Sequence, residues 1–269
     1  MAAIVTLTMN PALDIATATD RIIPAHKLRC GRPRYDPGGG GINVARAAHA
    51  VGGDALAIFP AGGAAGEMIQ HLLRREGVAH QAVPIEGFTR ESLAVEELET
   101  GNQYRFILPG PEIGPEDQER CLKRVLGAMS AATYIVASGS LPPGVPQNFY
   151  ARVSRLAKER GMRLVLDTSG AALRSLAGPI YLLKPSLREL EEMMGRRILT
   201  ERQEEEAAQE VIEQGRSEII VLSLGPRGAL FASAAQHERL PAIKVQAKST
   251  IGAGDSMLAG ILVGLCRSL

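Results

Sequence analysis

Short runs rich in β-branched and aliphatic residues alternate with longer runs of helical periodicity along nearly the whole chain. No other property limits the fold so strongly. Strands expected at 4–8, 55–60, 134–138, 163–167, 181–184 and 218–223 are separated by helices expected at 42–51, 66–76, 115–129, 147–160, 187–194, 204–214 and 253–266. Such alternation predicts a mostly parallel sheet covered by helices. With 269 residues, 45% of them hydrophobic, the chain is long enough for one large α/β domain, or a large domain plus a small one. The helix at 204–214 is acidic on one side and reads as a solvated face. A further strand pattern runs from His237 to Val245.

Two segments, 15–35 and 89–108, break the rhythm because they look like strands without partner helices. In 103–108, Tyr104, Phe106 and Leu108 share one face, while Arg105 and Ile107 share the other. A turn at 99–103 would make 92–99 and 103–108 a hairpin. The two segments read as a small sheet standing off the main domain, a lid. So small a sheet is marginal alone, so its spare apolar face packs on something: a second copy of the chain or its own main domain.

The formal net charge is +1, so no global field attracts nucleic acid or a membrane surface. Cys30, Cys121 and Cys266 are widely spaced and odd in number, which suits a reducing compartment better than a disulfide framework or a zinc site. The first residues read as a strand without a secretory pattern, and no uninterrupted apolar run reaches transmembrane length. A cytoplasmic protein is expected.

Three motifs carry chemistry. In Ser249-Thr-Ile-Gly252-Ala-Gly254-Asp255-Ser-Met257, two glycines and a carboxylate stand at the start of an apolar helix. Helix starts expose unpaired N–H groups and the positive end of the helix dipole, so they attract anions. A carboxylate there can take a proton from an alcohol, which together suits phosphoryl transfer to a hydroxyl. The same residues also suit an ordinary glycine turn with Asp as the helix cap. In Asp36-Pro-Gly38-Gly-Gly-Gly41-Ile-Asn43, four glycines precede another helix, and Asn43 can donate and accept toward a hydroxylated ligand. It lacks the Gly-Lys-Ser/Thr of a Walker A loop. Finally, Asp14 follows the first strand, where ligands of open parallel sheets bind, although Asp after Pro is also common in turns.

Together these motifs resemble the PfkB branch of the ribokinase-like sugar kinases. The resemblance is carried by residues 6–14, 27–30, 37–46, 57–63, 103–106, 138–144, 221–229 and 250–257, and its bacterial minor 6-phosphofructokinase members are the nearest in pattern. It implies a Rossmann-type three-layer α/β/α domain (1–14, 36–88 and 109–269) with a four-stranded β-sheet lid (15–35 and 89–108) that is often a homodimer interface. It implies that Asp255 is the base, and that Gly252, Ala253 and Gly254 supply the anion hole. Asp14, Gly39, Gly40 and Asn43 would hold sugar hydroxyls. Lys27, Arg29 and Arg90 would hold the phosphate already on the sugar, with Ser138 nearby. ATP would lie along Lys184, Ser186, Ser223, Gly225 and Gly228, with Mg2+ near Glu189.

The activity implied is ATP-dependent phosphorylation of fructose 6-phosphate at its 1-hydroxyl. Fructose 1-phosphate and tagatose 6-phosphate are the alternative substrates, and an inactive, truncated sugar-phosphate-binding paralogue is the alternative of a different class. Two departures stand out. The family's Asn-x-x-Glu here reads Ser186-Leu-Arg-Glu189, and the family continues for a few tens of residues beyond the Asp255 helix, whereas this sequence stops at Leu269.

Overall fold

A computed structural model describes residues 3–128, 132–176, 178, 180–244 and 252–267. Met129, Val245 and the Ser249, Thr250 and Ile251 of the last motif lie outside them. Seven strands form the parallel body of the main sheet: β1 (Ile4–Leu7), β4 (Ala55–Ala61), β5 (Ala79–Pro84), β8 (Tyr134–Ser138), β9 (Arg163–Asp167), β10 (Ile180–Leu183) and β11 (Ser217–Ser223). β12 (Ala229–Ser233) and β13 (His237–Leu240) add an antiparallel edge, giving the order β13-β12-β11-β10-β9-β8-β1-β4-β5.

Both faces of this sheet are buried, which is why its strands read as apolar runs rather than as strict alternation. Successive residues nonetheless separate into two cores. Ile135 and Ala137 of β8, with Leu164 and Leu166 of β9, face one core. Tyr134, Val136 and Val165 face the other. The first core is covered by α3 (Pro115–Ala128), α4 (Phe149–Glu159), α6 (Leu187–Met194) and α7 (Glu201–Glu213), together with the short α5 (Gly170–Arg174). The second is covered by α1 (Gly40–Ala50), α2 (Gly63–Glu76) and α8 (Ala253–Cys266). The result is the expected three-layer α/β/α architecture.

The expected elements are present with shifts at their ends. α7 starts at Glu201 because Thr200 caps it, accepting from the Gln203 backbone N–H at 3.2 Å. Three elements had no counterpart in the sequence reading: β5, a half-polar edge strand; α5, a helix of five residues; and β12, hidden in a short apolar run.

The second sheet has the order β3-β2-β6-β7, from β2 (Ala12–Thr19), β3 (Arg34–Gly38), β6 (Arg90–Glu97) and β7 (Asn102–Ile107). Its strands begin at Ala12 and run to Gly38, overlapping residues assigned from the sequence to the larger domain. Register puts Asp14, Ser92 and Ile107 on one face and Ile15, Leu93 and Phe106 on the other. The second face is anchored at its root by Leu13, which enters the core beside α2, while Tyr35, Leu93, Tyr104 and Phe106 remain exposed. Glu97 ties the hairpin together, accepting from the Ile22 N–H at 2.7 Å, the Thr100 hydroxyl at 2.5 Å and the Tyr104 hydroxyl at 3.4 Å. Among the described residues, no helix is long and apolar enough to cross a membrane.

Candidate active site

Chemistry-bearing residues collect at the carboxyl ends of the parallel strands, where the N-termini of α1 and α8 converge. The glycine run places α1. Gly39 precedes the helix with φ 117°, a conformation few side-chain-bearing residues adopt, and a methyl there would lie 2.7 Å from the Thr8 methyl. A methyl at Gly40 would collide with Ser138 Oγ, and one at Gly38 with the Asp14 carboxylate. The glycines are therefore required by close packing against Thr8, Ser138 and Asp14. Thr8 Oγ1 accepts from the Ile42 N–H at 2.9 Å and fixes the first turn. Arg46, one turn on, donates to the Pro37 carbonyl at 3.2 Å and pairs with Glu76 at 2.6 Å, which braces the same loop from behind.

Gly252 caps α8 in a left-handed conformation (φ 74°), and Asp255 lies in the first turn. Asn43 Nδ2 donates to Asp255 Oδ2 at 2.9 Å, joining the two helix N-termini. Asn43, expected against a sugar hydroxyl, is thus also the partner of the expected base. Burial pushes the Asp255 carboxyl above the ordinary carboxylate range, while the Asn43 hydrogen bond and the Lys184 charge pull it back down.

Asp14, Gly39, Asn43, Arg90, Gly252 and Asp255 line one cavity of about 740 Å³, with Asn10, Ser92, Arg105 and Ser140 also in its wall. Burial raises Asp14, opposed by the positive charges of Arg90 and Arg105, and burial lowers Arg90. Arg90 is held by the carbonyls of Asn10 (3.2 Å) and Leu108 (3.4 Å), and its buried Nε has no partner among the described residues. Gly40 and Ser138 support this wall without facing the cavity.

Lys27 and Arg29 are not brought to it. Both are exposed, and the Arg29 carbonyl accepts from Thr19 Oγ1 at 3.3 Å, tying their loop to the far end of β2. Thr19 is five residues beyond Asp14, roughly 17 Å along an extended strand.

A second group follows the strand ends from β9 to β11. Lys184 is buried beside Asp167, with Nζ 3.2 Å from Oδ2, and a methyl on Gly254 would lie 3.3 Å from that Nζ. Lys184 therefore stands beside the first turn of α8. Burial raises Asp167 to about 7; Lys184 opposes this, and the nearby Asp255 and Glu189 reinforce it. The sequence reading did not single out Asp167, whose only signal was its place as an acidic residue ending a parallel strand.

Ser186 and Glu189 form a capping box on α6. Ser186 Oγ donates to Glu189 Oε2 at 2.9 Å and accepts from the Glu189 N–H at 3.3 Å, while the Ser186 N–H donates to Oε2 at 2.8 Å. The Ser186 hydroxyl and one Glu189 oxygen are therefore engaged within the helix cap. Ser223 bridges to Ser186 and donates through its N–H to the Pro185 carbonyl at 2.9 Å. The turn Gly225–Arg227 and Gly228 follow on the same rim.

Glycine-cradled helix starts, a buried carboxylate and a paired lysine gathered at the carboxyl ends of a parallel sheet form the kind of site that group-transfer enzymes use. The chain belongs to the pfkB family of carbohydrate kinases, whose model matches residues 7–269. It is 50% identical over 264 residues to the ATP-dependent 6-phosphofructokinase isozyme 2 of Mycobacterium tuberculosis, an alignment covering 98% of this chain and 78% of that protein. Its fold matches the crystal structure of Escherichia coli phosphofructokinase-2 in complex with fructose-6-phosphate with a TM-score of 0.94, at 40% identity, covering 100% of this chain and 88% of that one. The tetrameric inhibited form of the same enzyme matches with a TM-score of 0.94 at 41% identity, again over 100% and 88% of the two chains.

The hydrogen bond to Asp255 yields a pH test. A base of this kind loses activity as pH falls through its pKa, and the Asn43 bond holds that pKa down. Asn43→Ala should lower kcat/KM roughly 10- to 150-fold, the value of a hydrogen bond to a charged group, and move the acid limb of the pH profile upward. An acid limb at the wild-type position would mean that Asn43 does not act through Asp255.

Proposed function

We propose that this carbohydrate kinase transfers the γ-phosphoryl group of ATP to the 1-hydroxyl of fructose 6-phosphate. The observation that carries the reading is one cavity holding Asp255 paired with Asn43 and, in the same wall, Arg90 and Arg105. A base and a pair of guanidinium groups fit a substrate with a reactive hydroxyl at one end and a phosphate at the other. Arg105 takes the role that the family resemblance implies for Lys27 and Arg29. The likeness to 6-phosphofructokinase isozyme 2 selects fructose 6-phosphate over fructose 1-phosphate and tagatose 6-phosphate.

In this mechanism Asp255 accepts the proton of the attacking hydroxyl, with Asn43 orienting the carboxylate. Asp14 and the Gly39 loop hold the sugar in line. The N–H groups of Gly252, Ala253 and Gly254, with Lys184 beneath them, face the charge that develops on the transferred group. Ser223, Gly225 and Gly228 lie along the nucleotide.

Among the described residues no cluster of three His, Cys, Asp or Glu side chains could hold a metal by itself. Mg2+ does not need one, because it binds through one or two carboxylates plus substrate phosphates. Asp167 and Glu189, the second close enough to raise the first's cost of ionisation, are the carboxylates that fit. When bound, the ion neutralises phosphate charge.

The kinase domain and the lid sheet act as two units, and lid packs on lid in a homodimer through Leu93, Tyr104 and Phe106, which are 37–53% exposed. The three free thiols suit a cytoplasmic setting.

ADP formation with MgATP should be rapid on fructose 6-phosphate and weak on fructose 1-phosphate, tagatose 6-phosphate and unphosphorylated fructose. Turnover on one of the others instead would reassign the substrate, and turnover on none would support a binding paralogue. Phe106→Asp should sediment at half the wild-type mass; an unchanged mass would count against a lid-mediated dimer.

A further inference from the structure

The acidic face of α7 is not uniformly solvated. Glu204 turns inward, with its side chain only 3% exposed, and each of its oxygens takes a different arginine. Oε1 accepts from Arg227 Nη2 at 2.6 Å, and Oε2 from Arg239 Nη1 at 2.8 Å. Burial alone would push this carboxyl up, but the two arginines outweigh it and hold it below the usual range. Arg239 is itself fixed to α7, donating to Glu205 Oε1 at 2.8 Å and to the Glu201 carbonyl at 2.6 Å.

The two arginines belong to the two segments that meet beside the strand-end rim. Arg227 closes the turn after β11, and Arg239 lies in β13. These segments touch directly, because a methyl on Gly228 would collide with the Leu240 carbonyl. The turn is stitched internally by the Gly228 N–H to the Gly225 carbonyl (3.0 Å) and the Leu224 N–H to the Gly228 carbonyl (2.9 Å). It follows Ser223, which is bonded to Pro185, next to Lys184. A buried carboxylate gripped from two sides fixes direction as well as distance, although it contributes little net stability for its desolvation cost.

We propose that Glu204 is a positioning residue for the nucleotide half of the site: by clamping Arg227 and Arg239 it sets where the turn 225–228 stands relative to Ser223 and Lys184. The proposal rests on the assignment of Ser223, Gly225 and Gly228 to ATP. A residue that merely stabilised the sheet edge would lower the melting temperature without separating the two substrates, whereas a positioning residue separates them.

The test is steady-state kinetics with MgATP and fructose 6-phosphate, and calorimetric titration with ADP, on the wild type, Glu204→Gln, Arg227→Met, Arg227→Lys and the Glu204→Gln/Arg227→Met double variant. Each of the two disabling substitutions should raise KM for ATP and Kd for ADP about tenfold, as expected for a small misplacement of a binding element, with KM for the sugar phosphate near the wild-type value. The double variant should be no worse than Glu204→Gln alone, because that substitution has already removed the link to Arg227. Arg227→Lys should recover part of the loss. If Glu204→Gln does not fold, Arg227→Met carries the test, since the Arg227 side chain is 48% exposed. Unchanged ATP affinity in the folded variants, or equal rises in both KM values, would overturn the proposal alone. A wild-type chain that neither binds ADP nor turns over would overturn the nucleotide assignment, and this proposal with it.

Discussion

The hydrogen bond from Asn43 to Asp255 joins residues 212 positions apart, and the rest of the site depends on the packing that makes it possible. α1 and α8 lie side by side on one face of the sheet, with Ile42, Val44, Leu258 and Leu262 fully buried in a common core. That packing brings two helix N-termini to one cavity, whose wall holds Gly39 and Asn43 from one and Gly252 and Asp255 from the other. It also desolvates Asp255, which raises its proton affinity above that of an ordinary carboxylate. The glycines serve this convergence. Side chains at positions 38, 39 and 40 would strike Asp14, Thr8 and Ser138 and hold α1 away from the strand ends.

Charge is distributed along the rim in a way that suits a transferring phosphoryl group. On the sugar side, Arg90 and Arg105 surround Asp14, so burial of that carboxylate is partly compensated. On the nucleotide side, Asp167, Asp255 and Glu189 crowd one another with Lys184 as the compensating cation. Further along, Glu204 and its two arginines are self-contained, which fits a mechanical rather than a chemical role.

How much of this could be read from the sequence followed from how local each feature is. The helix starting at Ala253, with Gly252 and Asp255 beside it, was legible because a helix N-terminus and its carboxylate are neighbours in the chain. The lid hairpin was legible from the alternation of Tyr104 and Phe106 with Arg105 and Ile107. Alternation does not say which face meets the cavity, so Arg105 was missed while Lys27 and Arg29 were placed in the site by resemblance. Asp167 is one acidic residue among many until β10 places Lys184 against it. Glu204 was read as solvated because its partners lie 23 and 35 residues away, beyond any helical periodicity. In each case the missing information was a tertiary contact.

The central claim is that Asp255 is the base of a phosphoryl transfer, and the Asp255→Asn variant tests it most directly. Turnover and sugar-phosphate binding would be measured on one preparation, with circular dichroism confirming the fold. If Asp255 is the base, kcat falls roughly 10²- to 10⁴-fold, while the dissociation constant for fructose 6-phosphate stays close to the wild-type value. Turnover near wild type in the folded variant would contradict the claim and leave the carboxylate as no more than a helix cap.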